Sequence, residues 1–291
     1  MNLLFIIGTG RCGSSLVHEL VALNQEAGFV SNLDDRLPAL NSLGTWNNTV
    51  FRAMKGKLTK KGQARFAPSE AYNLIGKQVS PIFENSSRDL LAEDVTPWLR
   101  QRFRSFFEQR FEAQGKIVFL HKYTGWSRIQ FFADIFPEAK FVHIVRDGRA
   151  VANSWLQMPW WGGYQGAEKW LWGTLTTEER RLWKNKDYAY PVLAALAWKK
   201  LMQGFVDAEI SMDASRYMTC RYEDFLDNPE QTLKLITRWG GLPDADYINP
   251  DFLGSRISNG RRQAFKTDLT AQQVFDIEDC IADLLEKYHY V

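Results

Sequence analysis

The sequence predicts an α/β fold: one three-layer domain over residues 1–291, with a central parallel sheet flanked by helices. Three observations predict it. Short continuous apolar runs recur at 3–7, 116–120, 141–145 and 217–222, as in strands buried on both faces. Segments with apolar residues at helical spacing alternate with these runs along the whole length, which is the pattern of a parallel sheet. The first run leads directly into a glycine loop and a helix start, the connection that binds ligands at the edge of such sheets. With no internal repeat, low-complexity tract or linker in view, the expectation is a single domain with inserted loops at about 31–85 and 158–190.

The bulk numbers set bounds on function. Hydrophobic residues make up 45% and charged residues 24%, so the chain is globular rather than disordered. Thirty-six basic against 34 acidic residues leave a net charge of +2, too balanced for general nucleic-acid or membrane-surface binding. Any basic residues that hold a polyanion must therefore be clustered. Cys12, Cys220 and Cys280 are isolated and lack metal-ligand spacing, which fits a reducing compartment. The N-terminal apolar run is too short for a signal peptide or anchor, and no later stretch is long enough to span a bilayer. These readings give a cytoplasmic protein.

In chain order, the run Leu3–Ile7 opens the loop Gly8-Thr-Gly-Arg-Cys-Gly-Ser-Ser15, and Leu16, Val17, Leu20 and Val21 begin a helix. Glycines let backbone N–H groups turn toward an anion, and the helix N-terminus adds free donors. The spacing is close to the nucleoside-triphosphate loop, but Ser14 stands where that loop has its Lys, and the basic residue is Arg11. The loop is thus P-loop-like, suited to a phosphoryl or sulfuryl ester held by another scheme. Cys12 reads as a small filler within it.

Gly28–Val30 reads as a short strand. Asp34 and Asp35 follow, either as strand-end carboxylates placed for chemistry or as part of a helix cap with Asn32. Residues 45–65 are locally basic and read as a solvated surface segment. Residues 89–111 have helical spacing. The strand 116–120 delivers His121 and Lys122 at its end, where a doubly wound sheet binds its ligands. After a helix at 129–136, the strand 141–145 leads to Arg146 and a helix carrying Ser154; an Arg fork with a nearby hydroxyl suits a phosphate. Residues 158–172 are rich in Trp and Gly, either a pocket wall for an apolar or planar acceptor or core anchors. Helices are expected at 191–206, from Pro229 to Gly240 and at 271–288, with Tyr222 at the end of the fourth long strand.

Three motifs together resemble the sulfotransferases that use 3′-phosphoadenosine 5′-phosphosulfate (PAPS). Gly8–Ser15 is similar to the family's 5′-phosphosulfate loop, with Cys12 in place of the usual Ser. The stretch from Phe141 to Ser154 is similar to its 3′-phosphate element, and Tyr222-Glu-Asp-Phe-Leu-Asp-Asn-Pro229 to the segment whose Tyr lies near the adenine. Gly260-Arg-Arg262 partly resembles the terminal loop that closes on the 3′-phosphate.

The resemblance implies that Gly10, Arg11, Cys12, Gly13, Ser14 and Ser15 cradle the 5′-phosphosulfate, and that Arg146, Ser154, Tyr222, Arg261 and Arg262 hold the rest of the nucleotide. Arg11 and Lys122 would then neutralise the transferring group in an in-line displacement, without a metal. The implied base is either His121, beside Lys122, or the pair Asp34 and Asp35, found 23 and 24 residues after Arg11. The Asp pair is preferred, although the family's usual Glu is missing. The reading is thus a PAPS-dependent sulfotransferase releasing 3′-phosphoadenosine 5′-phosphate (PAP), with a lipid-like, glycan or small aromatic acceptor. The alternatives are a nucleotide kinase or NTPase of the same fold, which the missing Lys disfavours, and a non-catalytic nucleotide-binding module.

Overall fold

A computed structural model describes residues 1–54, 66–244, 249–257 and 261–291. Five parallel strands form one sheet in the order β2-β3-β1-β4-β5. They are β1 (Leu3–Gly8), β2 (Ala27–Gly28), β3 (Val118–Thr124), β4 (Lys140–Val145) and β5 (Tyr217–Arg221). From β1 the chain moves to one side to form β2 and β3, then to the other for β4 and β5. The end of β1 is therefore the point where strand order reverses, and open sheets bind ligands at that crevice.

The strands alternate between two cores. Leu3, Phe5 and Ile7 of β1 join Phe119, Tyr123 and Phe141 on one face. Leu4 and Ile6 join Val118, Leu120, Val142 and Ile144 on the other, under Val17 and Leu20 of helix α1 (Ser14–Ala22). This period of two makes neighbouring residues of β3 face opposite layers. The strand runs four residues beyond its apolar run, because its polar end pairs in register with β1, Ile6 opposite Lys122 and Gly8 opposite Thr124.

The stretch 31–85, expected as an inserted loop, contains helices α2 (Asn32–Arg36), α3 (Asn47–Ala53) and α4 (Tyr72–Gln78). Residues 55–65 of the basic segment lie outside the described residues, as does Gly260. The helix expected from 89 begins at Pro97, because Thr96 caps it by accepting from the Leu99 N–H and Pro97 fits the first turn. The second insertion, 158–190, holds the helix Thr177–Asn185. No helix among the described residues is long and apolar enough to cross a membrane.

Candidate active site

The loop after β1 takes its shape from residues in the left-handed region: φ is 84° at Gly10, 56° at Arg11 and 92° at Gly13. Such a backbone forms a concavity of N–H groups suited to an anion. Gly13 is further required by contact, because a Cβ there would stand 2.2 Å from the Tyr222 ring. Cys12 is fully buried, its sulfur close against Gly8.

Two guanidinium groups, those of Arg11 and Arg146, stand beside the loop; that of Arg261 is near enough for Arg11 to feel its charge but is held by Gln157 at 2.9 Å and Asp268 at 3.1 Å. Arg11 Nε donates to Ser154 Oγ at 3.0 Å. Arg146 donates to the carbonyls of Arg11 (2.9 Å) and Arg261 (3.0 Å) and lies 5.3 Å from the Tyr222 ring centre. Its Nε is buried without a partner among the described residues. Desolvation lowers the Arg11 pKa, and repulsion from Arg146 and Arg261 lowers it further. This is a cation cluster that an anion would stabilise. Arg11, Arg146, Ser154, Tyr222 and Arg261, which the sequence spreads over 250 residues, are thus brought together. Arg262 is not with them: its guanidinium forks onto Asp227 at 2.5 and 2.9 Å.

The opposite wall centres on Lys122, which is 5% exposed. Its ammonium donates to Ser15 Oγ at 3.0 Å and pairs with the Glu70 carboxylate, which also accepts from Thr124 Oγ1 at 3.0 Å. Glu70 comes from the segment before α4. That segment runs beside the end of β2, with Ser31 bridging Pro68 and the Ser69 N–H donating to the Val30 carbonyl at 2.8 Å. Tyr72 then anchors the end of β3. Its hydroxyl donates to the Thr124 carbonyl (3.0 Å) and accepts from the Thr124 N–H (3.1 Å), and burial pushes its pKa up to about 12.

The three expected bases lie elsewhere. His121 points to the other face of β3, packed against Phe107 and Phe5 with ring centres 5.1 and 6.1 Å away. It is fully buried, and burial, with the nearby charge of Lys122, pushes its pKa down to about 3. Strand alternation explains both placements: one neighbour must face the cleft and the other the core. Asp34 is buried and closes a capping box with Ser31 at the start of α2, accepting the Ser31 N–H at 2.7 Å and an Asn41 amide N–H at 2.9 Å. Burial raises its pKa. Asp35 accepts the Leu74 N–H at 2.8 Å and so ties α2 to α4. Both are structural carboxylates; the capping alternative holds, with Ser31 as the cap residue.

Arg11, Arg146 and Tyr222 on one side and Lys122, Glu70 and Tyr72 on the other line one cavity of about 710 Å3, which extends past Trp126 to Trp160, Leu171 and Trp172. Within the Trp-rich segment the core-anchor reading holds for Trp161 and Trp170, which are buried, while Trp160 is 45% exposed and lines the cleft. A larger cavity, about 1120 Å3 between the helices Pro229–Trp239 and Pro250–Gly254, lies away from the glycine loop and the strand ends.

Sequence reasoning missed Glu70 and Tyr72, which fall in a stretch read only as an inserted loop. The available signal was the polar pair Ser69-Glu70 just before an apolar helical segment. It could indicate a helix start, but not that the start abuts β3.

A glycine loop without the kinase Lys, an Arg cluster beside it and a buried Lys at a neighbouring strand end define an enzyme that transfers an anionic group. A family model described as "Sulfotransferase family" matches residues 4–246, and the chain belongs to that family. It is a sulfotransferase, an enzyme of sulfuryl transfer, and the kinase alternative is not favoured. Among curated proteins it is 22% identical to the omega-hydroxy-beta-dihydromenaquinone-9 sulfotransferase Stf3 of Mycobacterium bovis, over 99% of this chain and 75% of that one. Among solved structures it is similar to sulfotransferase STF9 from Mycobacterium avium, with TM-score 0.57, 14% identity, and coverage of 98% and 76% of the two chains. It is also similar to the sulfotransferase domain from the curacin biosynthetic pathway, with TM-score 0.52, 14% identity and 96% coverage of each chain. These structures share its fold.

Proposed function

We propose that the chain transfers the sulfuryl group of PAPS to a hydroxyl of a lipid-like acceptor, with Glu70 as the general base. The observation that carries this reading is the Lys122–Glu70 pair at the end of β3, in contact with Ser15 of the anion loop. The Arg146 Nε, without a partner among the described residues, and the repulsion that Arg146 and Arg261 exert on Arg11 suit a polyanionic nucleotide. Arg11 and the N–H groups of Gly13 to Ser15 would hold its 5′ end, and Arg146, Ser154 and Arg261 its 3′-phosphate. When bound, PAPS supplies the activated sulfuryl group.

The chain's own residues do the rest. Lys122 carries positive charge to the place where negative charge develops on the group in transfer, and fixed charges of this kind lower the barrier most in a site shielded from water. A carboxylate can accept the acceptor's hydroxyl proton, and Glu70 stands beside that ammonium with Thr124 orienting it. A second anion near Lys122 would share its ammonium with Glu70, leaving the carboxylate freer to take the proton. The exposed Trp160 and Leu171 offer an apolar rim for the acceptor's body. Stf3 of M. bovis, by its name, acts on a hydroxylated dihydromenaquinone, which supports a lipid-like acceptor here.

The test is calorimetric binding of PAP, with ADP as control, for wild type and Arg146→Ala. The expected result is PAP binding at least about tenfold tighter than ADP, with that preference lost in the variant. Equal affinity for the two nucleotides, unaffected by Arg146→Ala, overturns the cofactor assignment.

A further inference from the structure

Behind the Lys122–Glu70 pair lies a second, polar cavity of about 460 Å3. It shares Ser15, Glu70, Tyr72, Glu84 and Lys122 with the cleft, so the two spaces are continuous at the reacting groups. Its far wall carries Asp35, Asn73 and His18. Acidic lining by itself would only describe a solvated hollow. His18 adds an independent observation.

His18 lies one turn beyond Ser15 on the same side of α1 and is 1% exposed. Neither of its ring nitrogens has a hydrogen-bond partner among the described residues. Burial, then the charge of Lys122, holds its pKa well below the usual value, so the ring is neutral. A neutral imidazole offers one donor and one acceptor, and burying both unused is costly unless something occupies the space beside them. Glu84 is exposed, its backbone N–H donates to the Pro81 carbonyl at 3.2 Å, and its carboxylate makes no hydrogen bond or ion pair among the described residues. Asp35 uses Oδ1 on the Leu74 N–H and keeps its second oxygen for another donor.

We infer that this cavity is an acceptor subsite for a hydroxyl-rich head group, a sugar or polyol, with several hydroxyls besides the one that reacts. Carboxylates with a free oxygen accept from hydroxyls, and a neutral imidazole both gives and receives. An acceptor with a single hydroxyl leaves these groups to water, whereas a head group with several hydroxyls pairs them. The acceptor is then an amphiphile, with its head beside Glu70 and Lys122 and its apolar body along Trp160 and Leu171. This rests on the sulfuryl-transfer reading above and narrows its acceptor.

The experiment uses the PAP-loaded full chain, with the His18 ring nitrogens followed by NMR while octyl glucoside, octylglycerol or octan-1-ol is added below micellar concentration. The same three compounds are then offered as acceptors with labelled PAPS. The expected result is that the glucoside or the glycerol ether shifts the His18 resonances and is sulfated with a kcat/KM at least about tenfold above octan-1-ol. Glu84→Gln and Asn73→Ala should each raise KM for the polyol more than they lower kcat, with PAP affinity unchanged. Octan-1-ol used as well as the polyols, or no polyol moving the His18 signals, overturns the subsite. Failure of PAP to bind would instead remove the nucleotide reading on which the subsite rests.

Discussion

Glu70 has two neighbours that make it more than a salt-bridge partner: the Lys122 ammonium, and Thr124, whose hydroxyl fixes one of its oxygens. If it takes the acceptor's proton, removing its charge while keeping its shape should depress chemistry and spare nucleotide binding. Glu70→Gln is expected to lower kcat by about 10²- to 10⁴-fold, the usual weight of a general base, with little change in PAP affinity. A variant that turns over at the wild-type rate would remove Glu70 from the mechanism. A large loss of PAP affinity with kcat little changed would mark it as a positioning residue for Lys122 instead.

At the scale of elements, α2 illustrates how a local signal can carry two meanings. Two carboxylates just past a strand end suit either catalysis or a helix cap. The capping box of Ser31 and Asp34, tied to Asn41, decides for the cap. Asp34→Ala leaves several buried donors without an acceptor, so it should cost about 3 kcal/mol of stability in a denaturant titration. PAP affinity of the folded protein should stay as in wild type; a selective loss of turnover without loss of stability would reverse the assignment. The strands, the glycine loop and the Arg146 element were legible because each is written within a dozen residues: an apolar run, a turn that needs glycine, a motif of fixed spacing. Glu70 was not, because its position depends on Pro68 pairing with Ser31 and on Tyr72 reaching Thr124, contacts between residues far apart in sequence. His121 and Lys122 were both named, and because β3 runs on to Thr124 its alternation sends the first into the core and the second to the cleft.

Across the whole molecule, three of the four histidines are sealed within the fold: His18, His121 and His143 are each at most 1% exposed. Burial pushes the pKa of His121 and of His143 down to about 3, and that of His18 well below 6.5. Each is therefore neutral when folded and free to take a proton when unfolded. The unfolded chain binds more protons below pH 6.5, so stability is full above that value and falls as pH drops toward the folded-state values. A group sealed in this way costs about 1.4 kcal/mol at pH 5.5, or about 4 kcal/mol for the three. The buried carboxyls of Asp34, Asp89 and Glu223, raised by desolvation, act with the opposite sign and reduce the fall. Urea unfolding at pH 7.5, 6.5 and 5.5 should show a midpoint that falls slightly between the first two and clearly further at the third. His143 provides the internal control, since its Nδ1 meets the Tyr217 hydroxyl at 3.0 Å and its ring stacks on Phe205 at 4.2 Å, in the core and outside the lining of the cleft. His143→Phe should flatten the pH dependence by about a third while leaving PAP binding intact, whatever its effect on absolute stability. A midpoint unchanged down to pH 5.5 would mean that protons reach these rings in the folded state, and with them the interior on which the Lys122 site is built.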